Sequence, residues 1–133
     1  MKILIVEDDL PSRLLLKKML QPYGECDLVA NGQEAVDAIR LARNKREPYR
    51  LICLDIMMPE MDGRTALKII RTEEEDAGLL PSQSVKVIMT TALRDIENVA
   101  SAYRELCDAY LCKPIEREKL VGLLGELDLL PKP

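Results

Sequence analysis

Residues 50–63 read RLICLDIMMPEMDG, and this stretch decides the fold of the 133-residue chain. Its first part, 50–55, is a short and almost continuous apolar run that ends on the carboxylate of Asp55. Such a run is typical of a strand buried on both faces, as in a parallel sheet. The segment that follows, 57–63, ends in an Asp-Gly pair, which indicates a loop closed by a turn. We therefore predict a central strand that delivers Asp55 to one edge of a parallel sheet.

Three further stretches share this pattern of an apolar run that ends on a reactive side chain: ILIVED at 3–8, VIMTT at 87–91 and YLCKP at 110–114. In open α/β sheets, ligands bind outside the carboxyl ends of the strands. Three carboxylates, a hydroxyl and an ammonium group are therefore expected to meet at one edge of one sheet. That set of groups can hold Mg²⁺ together with a phosphoryl group.

Strand-like and helix-like segments alternate five times. The strands are predicted at 2–6, 26–30, 50–55, 85–90 and 109–112. A helix follows each strand, the first over about 11–21 and the fourth over about 94–104. This order predicts an α/β fold, a (βα)5 three-layer sandwich whose five-stranded parallel sheet has the flavodoxin-like order 2-1-3-4-5. Residues 1–129 are expected to form one domain, with a short tail over 130–133.

Local patterns predict how the helices begin, end and pack. Asn31 and Glu34 have the spacing of a capping box at the start of the second helix. The acidic run 73–76 predicts a frayed, solvated end of the third helix, with a specific docking site as the alternative. The buried face of the first helix is predicted to hold Leu15, Leu16, Met19 and Leu20.

Composition limits the classes of function. The net charge is −4 and there is no basic run, so nucleic-acid binding is not expected. No apolar stretch is long enough to span a bilayer, and the N-terminus lacks the pattern of a signal peptide, which predicts a cytoplasmic protein without a membrane partner. The chain has no histidine, and its 4 cysteines form no Cys-x-x-Cys pair, so a zinc site is not expected.

The motifs together resemble the receiver domain of two-component response regulators, in particular a stand-alone regulator of the chemotaxis type. The resemblance rests on residues 3–8, on LDIMMPEMDG at 54–63, on Thr91-Ala92 and on residues 110–114. Each motif alone is weakly specific, whereas the combination in this order spans nearly the whole chain.

The resemblance implies a role for each matched residue of the predicted metal site. Asp55 resembles the phosphoacceptor, which takes a phosphoryl group from the phosphohistidine of a partner. Asp8 resembles a direct ligand of Mg²⁺, and Glu7 resembles an acid that acts on the ion through water. Asp55 itself and the main-chain carbonyl of Met57 complete the metal ligands that the resemblance implies.

The resemblance also implies how a phosphoryl group would be sensed. Lys113 resembles the lysine that pairs with phosphoryl oxygens, and Pro114 resembles the proline whose preceding peptide bond is frequently cis. Thr91 resembles the switch hydroxyl and Tyr110 the aromatic switch residue. Thr90, directly before the switch position, is expected to face the core.

These roles imply a phosphorylation-activated signalling switch rather than an enzyme, with only weak Mg²⁺-dependent self-phosphorylation and self-dephosphorylation. The expected partners are a sensor histidine kinase or a histidine phosphotransfer protein, and a downstream protein that docks on the fourth helix, fifth strand and fifth helix. A phosphatase with an aspartyl nucleophile needs a second aspartate where this chain has Met57, and is therefore disfavoured. A degenerate receiver that acts as a phosphorylation-independent scaffold is the remaining alternative.

Two features of the sequence bear on partners and on signal lifetime. The segment between Gly63 and Thr91 is several residues longer than usual, with the excess at 73–84. Met57 and Leu93 stand where the family places the side chains that flank the hydrolytic water. Both are apolar and cannot orient a water by hydrogen bonding, which predicts a slowly decaying phosphoryl group.

Overall fold

The structure of the chain, a computed structural model, describes residues 1–58, 61–92 and 106–131. It contains the strands β1 (Lys2–Val6), β2 (Glu25–Val29), β3 (Leu51–Asp55), β4 (Lys86–Ala92) and β5 (Ala109–Lys113). The strands are parallel and form one sheet of order β2-β1-β3-β4-β5, which confirms the predicted flavodoxin-like order. Strand β2 lies at one edge of the sheet, and β3 lies at its centre, as the continuous apolar run of β3 predicts.

The described ranges hold the helices α1 (Leu10–Leu20), α2 (Gly32–Asn44), α3 (Gly63–Asp76) and α4 (Arg117–Glu126). The helix predicted over about 94–104 lies outside the described residues. Within the described part of the chain, no helix combines the length and the apolar character that crossing a membrane requires.

Side chains alternate along each strand, and this alternation divides the core into two layers. One layer packs against α2 and α3 and includes Leu4, Leu54 and Met89. The other packs against α1 and α4 and includes Ile5 and Cys53. We call the corresponding sides of the sheet the α2/α3 face and the α1/α4 face. The two layers confirm the predicted three-layer sandwich.

The starts of α2 and α3 correct two local predictions. Asn31 caps α2 by accepting the N–H of Glu34 at 2.9 Å, but the Glu34 carboxylate accepts the N–H of Ala30 at 2.7 Å, so the predicted capping box is shifted by one residue. Asp62 and Gly63, predicted as a turn, are instead the N-cap and first residue of α3. The Asp62 carboxylate provides the acceptor that a helix N-terminus requires.

The outer face of α1 also differs from prediction. Leu16 and Leu20 are buried and Met19 packs against the α1/α4 layer, but Leu15 is 49% exposed. Leu10 and Leu14 are exposed to 54% and 50% beside it. Successive helical positions are about 100° apart, so Leu15 cannot share the direction of Leu16. Helix α1 therefore has a second apolar face, directed to solvent.

The acidic end of α3 is not frayed, because Glu74 is buried with partners. Arg71 donates to one oxygen of its carboxylate at 2.8 Å, and the other oxygen accepts the N–H of Val85 at 2.8 Å. Arg71 also donates to the carbonyl oxygen of Leu106 at 2.8 Å. A buried carboxylate with a cation and a backbone donor is tolerated, whereas an isolated one is not. The prediction of a solvated end was wrong for Glu74.

Candidate functional site

Three acidic residues meet at the carboxyl ends of β1 and β3. Glu7 and Asp8 follow β1 directly, and Asp55 is the last residue of β3. One carboxylate oxygen of each lies within 4.8 Å of the others. Glu7 and Asp55 are only 1% and 3% exposed, while Asp8 is open to solvent. The strand ends thus gather three carboxylates into a cluster with one accessible side.

Lys113 supplies the positive charge of this cluster from the end of β5. Its Nζ atom lies 3.0 Å from Oε2 of Glu7 and 3.2 Å from Oδ2 of Asp55. The Lys113–Pro114 peptide bond is cis, the form that the resemblance implies. Four predicted site residues from three strand ends are therefore in contact or close proximity.

Burial and neighbouring charges set the protonation states of Asp55 and Lys113. Burial, reinforced by the negative charge of Glu7, raises the pKa of Asp55 to about 7, although the Lys113 ammonium acts in the opposite direction. Burial alone would lower the pKa of Lys113, but its hydrogen bond to Glu7 and the charge of Asp55 outweigh that effect and raise it. Lys113 stays cationic, while the raised pKa leaves Asp55 partly protonated near neutral pH.

The donor set fits Mg²⁺. The three neighbouring side chains offer only carboxylate oxygens, which Mg²⁺ prefers, and the exposed side of the cluster leaves room for the waters that Mg²⁺ retains. The raised pKa of Asp55 reflects burial first and the negative charge of Glu7 second, and a divalent cation would favour the ionised carboxylate against both. The role of the Met57 main-chain carbonyl in this set stays a prediction.

A close backbone approach holds the chain that follows Asp55. The N–H of Met57 donates to Oδ1 of Asp55 at 3.3 Å, and the N–H of Gly63 donates to the carbonyl oxygen of Ile56 at 3.0 Å. A Cβ atom on Gly63 would overlap the carbonyl oxygen of Asp55. Sequence analysis missed this requirement for glycine because the Asp-Gly pair was interpreted as a turn signal.

The predicted switch residues are Thr91, on β4, and Tyr110, on β5. Thr91 is buried, and its hydroxyl donates to the carbonyl oxygen of Ala92 at 3.3 Å rather than to a site carboxylate. Tyr110 is half-buried against the layer between the sheet and α2 and α3. Leu93, predicted to flank the hydrolytic water, lies outside the described residues, whereas the Met57 side chain is 63% exposed. The switching roles of Thr91 and Tyr110 stay predictions.

Thr90, expected to face the core, is buried, and its hydroxyl has no hydrogen-bond partner among the described residues. Its Cα pairs in register with Asp55 of β3 and Leu111 of β5. A buried hydroxyl without a hydrogen-bond partner is uncommon in folded proteins. Sequence analysis missed it, although a threonine at that register position beside Asp55 was a usable signal.

A cavity of about 370 Å³ opens beside the carboxylate cluster, between α1 and the segment after β5. Its walls are formed by Glu7, Ser12, Leu15, Leu16, Lys113, Pro114 and Ile115. The exposed leucine face of α1 therefore borders the same opening as the ion pair of Glu7 and Lys113.

Comparison with known sequences points to one family. The sequence model of the response regulator receiver domain matches residues 3–124. The osmosensing histidine protein kinase SLN1 of Saccharomyces cerevisiae is 34% identical over 127 residues, which cover 94% of this chain and 10% of that protein. The probable transcriptional regulator ycf27 of Cyanophora paradoxa is 31% identical over 127 residues, covering 95% of this chain and 47% of that protein. The chain thus spans only a small part of SLN1 and less than half of ycf27.

Solved structures agree with this match. A structure described as a putative response regulator from Chloroflexus aurantiacus superimposes with a TM-score of 0.75 at 28% identity, covering 95% of each chain. The chemotaxis protein CheY4 of Vibrio cholerae superimposes with a TM-score of 0.75 at 26% identity, covering 94% of this chain and 96% of that one.

Proposed function

The chain belongs to the response regulator receiver domain family, and from that membership we propose that it is a phosphorylation-controlled switch whose phosphoacceptor is Asp55. One observation carries the proposal: Asp55 sits within 3.2 Å of the Lys113 ammonium and in one cluster with Glu7 and Asp8. A carboxylate nucleophile between a cation and a metal-binding pair is suited to phosphoryl transfer, which depends on positioning and charge neutralisation.

In the proposed transfer, a carboxylate oxygen of Asp55 attacks phosphorus on a phosphohistidine of the donor. The new oxygen–phosphorus bond forms as the phosphorus–nitrogen bond breaks, and the electron pair of that bond returns to the imidazole nitrogen. Lys113, already bonded to Asp55 and Glu7, offers its donors to the phosphoryl oxygens. The product is an acyl phosphate on Asp55.

Glu7, Asp8 and Asp55 would hold Mg²⁺, with the main-chain carbonyl of Met57 as a further proposed ligand. When bound, the ion supplies charge neutralisation for the carboxylates and the phosphoryl oxygens. The buried Glu7 accepts a bond from Lys113 and also the N–H of Asp9 at 3.3 Å, so it is held in place before an ion arrives.

The exposed leucines of α1 support a seat for the donor. Leu10, Leu14 and Leu15 are each about half exposed, and Leu15 lines the cavity that also reaches Glu7 and Lys113. A donor that approaches from this side would bring its phosphohistidine past Glu7 and Lys113 toward Asp55. An apolar surface on a histidine kinase or histidine phosphotransfer protein would therefore bury these leucines, and such burial contributes about 25 cal/mol per Å².

Phosphorylation of Asp55 would change the surface that the chain offers to a downstream protein. An acyl phosphate brings nearly two negative charges to the site, and bonds to Thr91 and Lys113 would draw the chain segments after β4 and β5 inward. Tyr110 would follow, altering the face of β5 and α4 and of the helix predicted over 94–104 for a downstream protein. The only activities in the proposal are weak self-phosphorylation and self-dephosphorylation. The proposal includes no membrane or nucleic-acid partner. The cytoplasmic location remains a prediction.

The alternative of a phosphorylation-independent scaffold is disfavoured by the complete set of chemical groups, since a scaffold has no need for buried Glu7 and Asp55 beside Lys113. Incubation with radiolabelled acetyl phosphate tests the proposal. We expect the chain to incorporate label in the presence of Mg²⁺. We expect no incorporation when EDTA is present to remove the ion. No labelling under either condition would support the scaffold, whereas equal labelling with and without Mg²⁺ would contradict the proposed need for the metal ion.

A further inference from the structure

Thr90 lies beside Asp55 in the sheet. The two residues are Cα partners on the neighbouring strands β4 and β3, which are about 4.8 Å apart in a sheet. Ile88, two residues before Thr90, and Cys53, two residues before Asp55, both belong to the α1/α4 layer. Alternation along the strands therefore directs Thr90 and Asp55 to the same face of the sheet.

The hydroxyl of Thr90 is a buried polar group that lacks a hydrogen-bond partner. Thr90 is 1% exposed and its Oγ1 atom has no hydrogen-bond partner among the described residues. Its register partner on β5 is Leu111, which offers no side-chain acceptor. Asp55 is thus the register neighbour whose side chain carries oxygens. Leaving a buried hydroxyl unpaired destabilises a fold, so this resting arrangement is unfavourable for Thr90.

Both oxygens of the Asp55 side chain are paired with groups other than Thr90 in the unphosphorylated chain. One carboxylate oxygen accepts the N–H of Met57, and the other is paired with Lys113 at 3.2 Å. Three phosphoryl oxygens would compete with Asp55 for the Lys113 ammonium, and the carbonyl oxygen of the acyl phosphate would then be an acceptor without that donor. Rotation about the Cα–Cβ bond of Thr90 can direct its hydroxyl toward that oxygen.

We propose that Thr90 is a positioning residue whose hydroxyl donates a hydrogen bond to the Asp55 side chain in the phosphorylated protein, an inference that rests on Asp55 being the phosphoacceptor. The hydroxyl has no partner among the described residues in the unphosphorylated chain and gains one in the phosphorylated state. Thr90 therefore stabilises the phosphorylated state relative to the unphosphorylated state. This effect is independent of the contacts made by Thr91.

The test uses beryllofluoride with Mg²⁺ as a probe that mimics the phosphoryl group, and compares the wild type with Thr90→Val and Thr90→Ser. Valine has the shape of threonine without the hydroxyl, and serine keeps the hydroxyl without the methyl group. We expect Thr90→Val to unfold at equal or higher urea concentration than wild type when unliganded, but to bind beryllofluoride about threefold to tenfold more weakly, the effect of one neutral hydrogen bond. Thr90→Ser should lose unliganded stability yet keep wild-type affinity within about twofold.

If Thr90 had only a structural role, Thr90→Val would change the stability of the free and the beryllofluoride-bound chain equally. Its affinity for beryllofluoride would then be unchanged, and that result would overturn the inference. Weaker binding by Thr90→Ser to the same extent as by Thr90→Val would also overturn it, because the hydroxyl would then be irrelevant. If the wild type shows no beryllofluoride-induced NMR shifts at all, the assignment of Asp55 as phosphoacceptor fails, a result distinct from the failure of Thr90 alone.

Discussion

The ammonium group of Lys113 lies 3.2 Å from Oδ2 of Asp55, although strand β4 separates the strands that carry the two residues. The register partner of Lys113 on β4 is Ala92, whose small side chain leaves a path across the end of that strand. Lys113 thereby occupies the position of a counter-ion to the carboxylates before any phosphoryl group or metal ion is bound.

Replacing Lys113 should therefore tighten metal binding. The variant Lys113→Met leaves the charges of Glu7 and Asp55 unopposed, and Mg²⁺ should bind at least about threefold more tightly than to wild type. Asp8→Ala should bind Mg²⁺ much more weakly, because it removes the exposed ligand of the cluster. Calorimetric titration with MgCl₂ measures both. Unchanged or weaker binding by Lys113→Met would show that Lys113 does not compete with the ion.

The contribution of Asp55 to the stability of the fold should fall as the pH rises from about 4 to about 7. The pKa of Asp55 is raised from 3.8 to about 7 in the folded protein, so the folded state binds more protons than the unfolded state across this window. The contribution is fully present below pH 3.8 and is lost as the pH passes about 7, at up to about 1.4 kcal/mol per pH unit. Urea denaturation across this range measures it.

Asp55→Asn is the matched control for this pH dependence, because it keeps the shape of the side chain and removes its titration. The difference in unfolding free energy between wild type and Asp55→Asn should change over the window, and added Mg²⁺ should reduce the change by favouring the ionised carboxylate. A pH-independent difference would show that Asp55 does not titrate as described.

Gly63 should resist substitution for a reason specific to the site. Gly63→Ala places a Cβ against the carbonyl oxygen of Asp55, so α3 or the end of β3 must shift, at an estimated loss of about 1–3 kcal/mol. Gly122, in α4, has no atom within 4 Å of an added Cβ, and Gly122→Ala should instead stabilise the protein by about 0.5–1 kcal/mol. Thermal unfolding compares them, and equal behaviour of the two variants would refute the close approach.

The leucine face of α1 should matter for a protein donor and not for a small one. Leu14→Glu places a charge on the proposed seat and should slow transfer from a phosphorylated histidine phosphotransfer protein by at least about tenfold, while labelling by acetyl phosphate stays unchanged. Leu41 of α2 is 56% exposed, away from this cavity, and Leu41→Glu should change neither rate. Loss of labelling from both donors in Leu14→Glu would indicate damage to the fold rather than to docking.

The elements that could be predicted from sequence are those fixed by continuous apolar runs. The runs ending at Glu7, Asp55 and Lys113 gave the strands and the gathering of these groups at one edge, because parallel strands align their carboxyl ends. Local patterns were less informative where a side chain depends on distant partners. Glu74 looked solvated because its partner atoms at Val85 belong to another element.

Two other features depend on distances that a sequence does not contain. The approach of Gly63 to the carbonyl oxygen of Asp55 arises from how α3 meets β3. The lack of a partner for the Thr90 hydroxyl among the described residues depends on how the side chains of β3 and β4 meet. Leu15 was misassigned for a simpler reason, since two apolar faces on one short helix give overlapping patterns.

Mapping the phosphoryl group tests the central claim most directly. The wild-type chain and Asp55→Asn are incubated with acetyl phosphate and Mg²⁺, and any modified peptide is located by mass spectrometry. We predict one phosphoryl group on the wild type, located at Asp55, and none on Asp55→Asn. Labelling of Asp55→Asn to the wild-type extent, or a phosphoryl group mapped to another residue of the wild type, would contradict the claim that Asp55 is the phosphoacceptor.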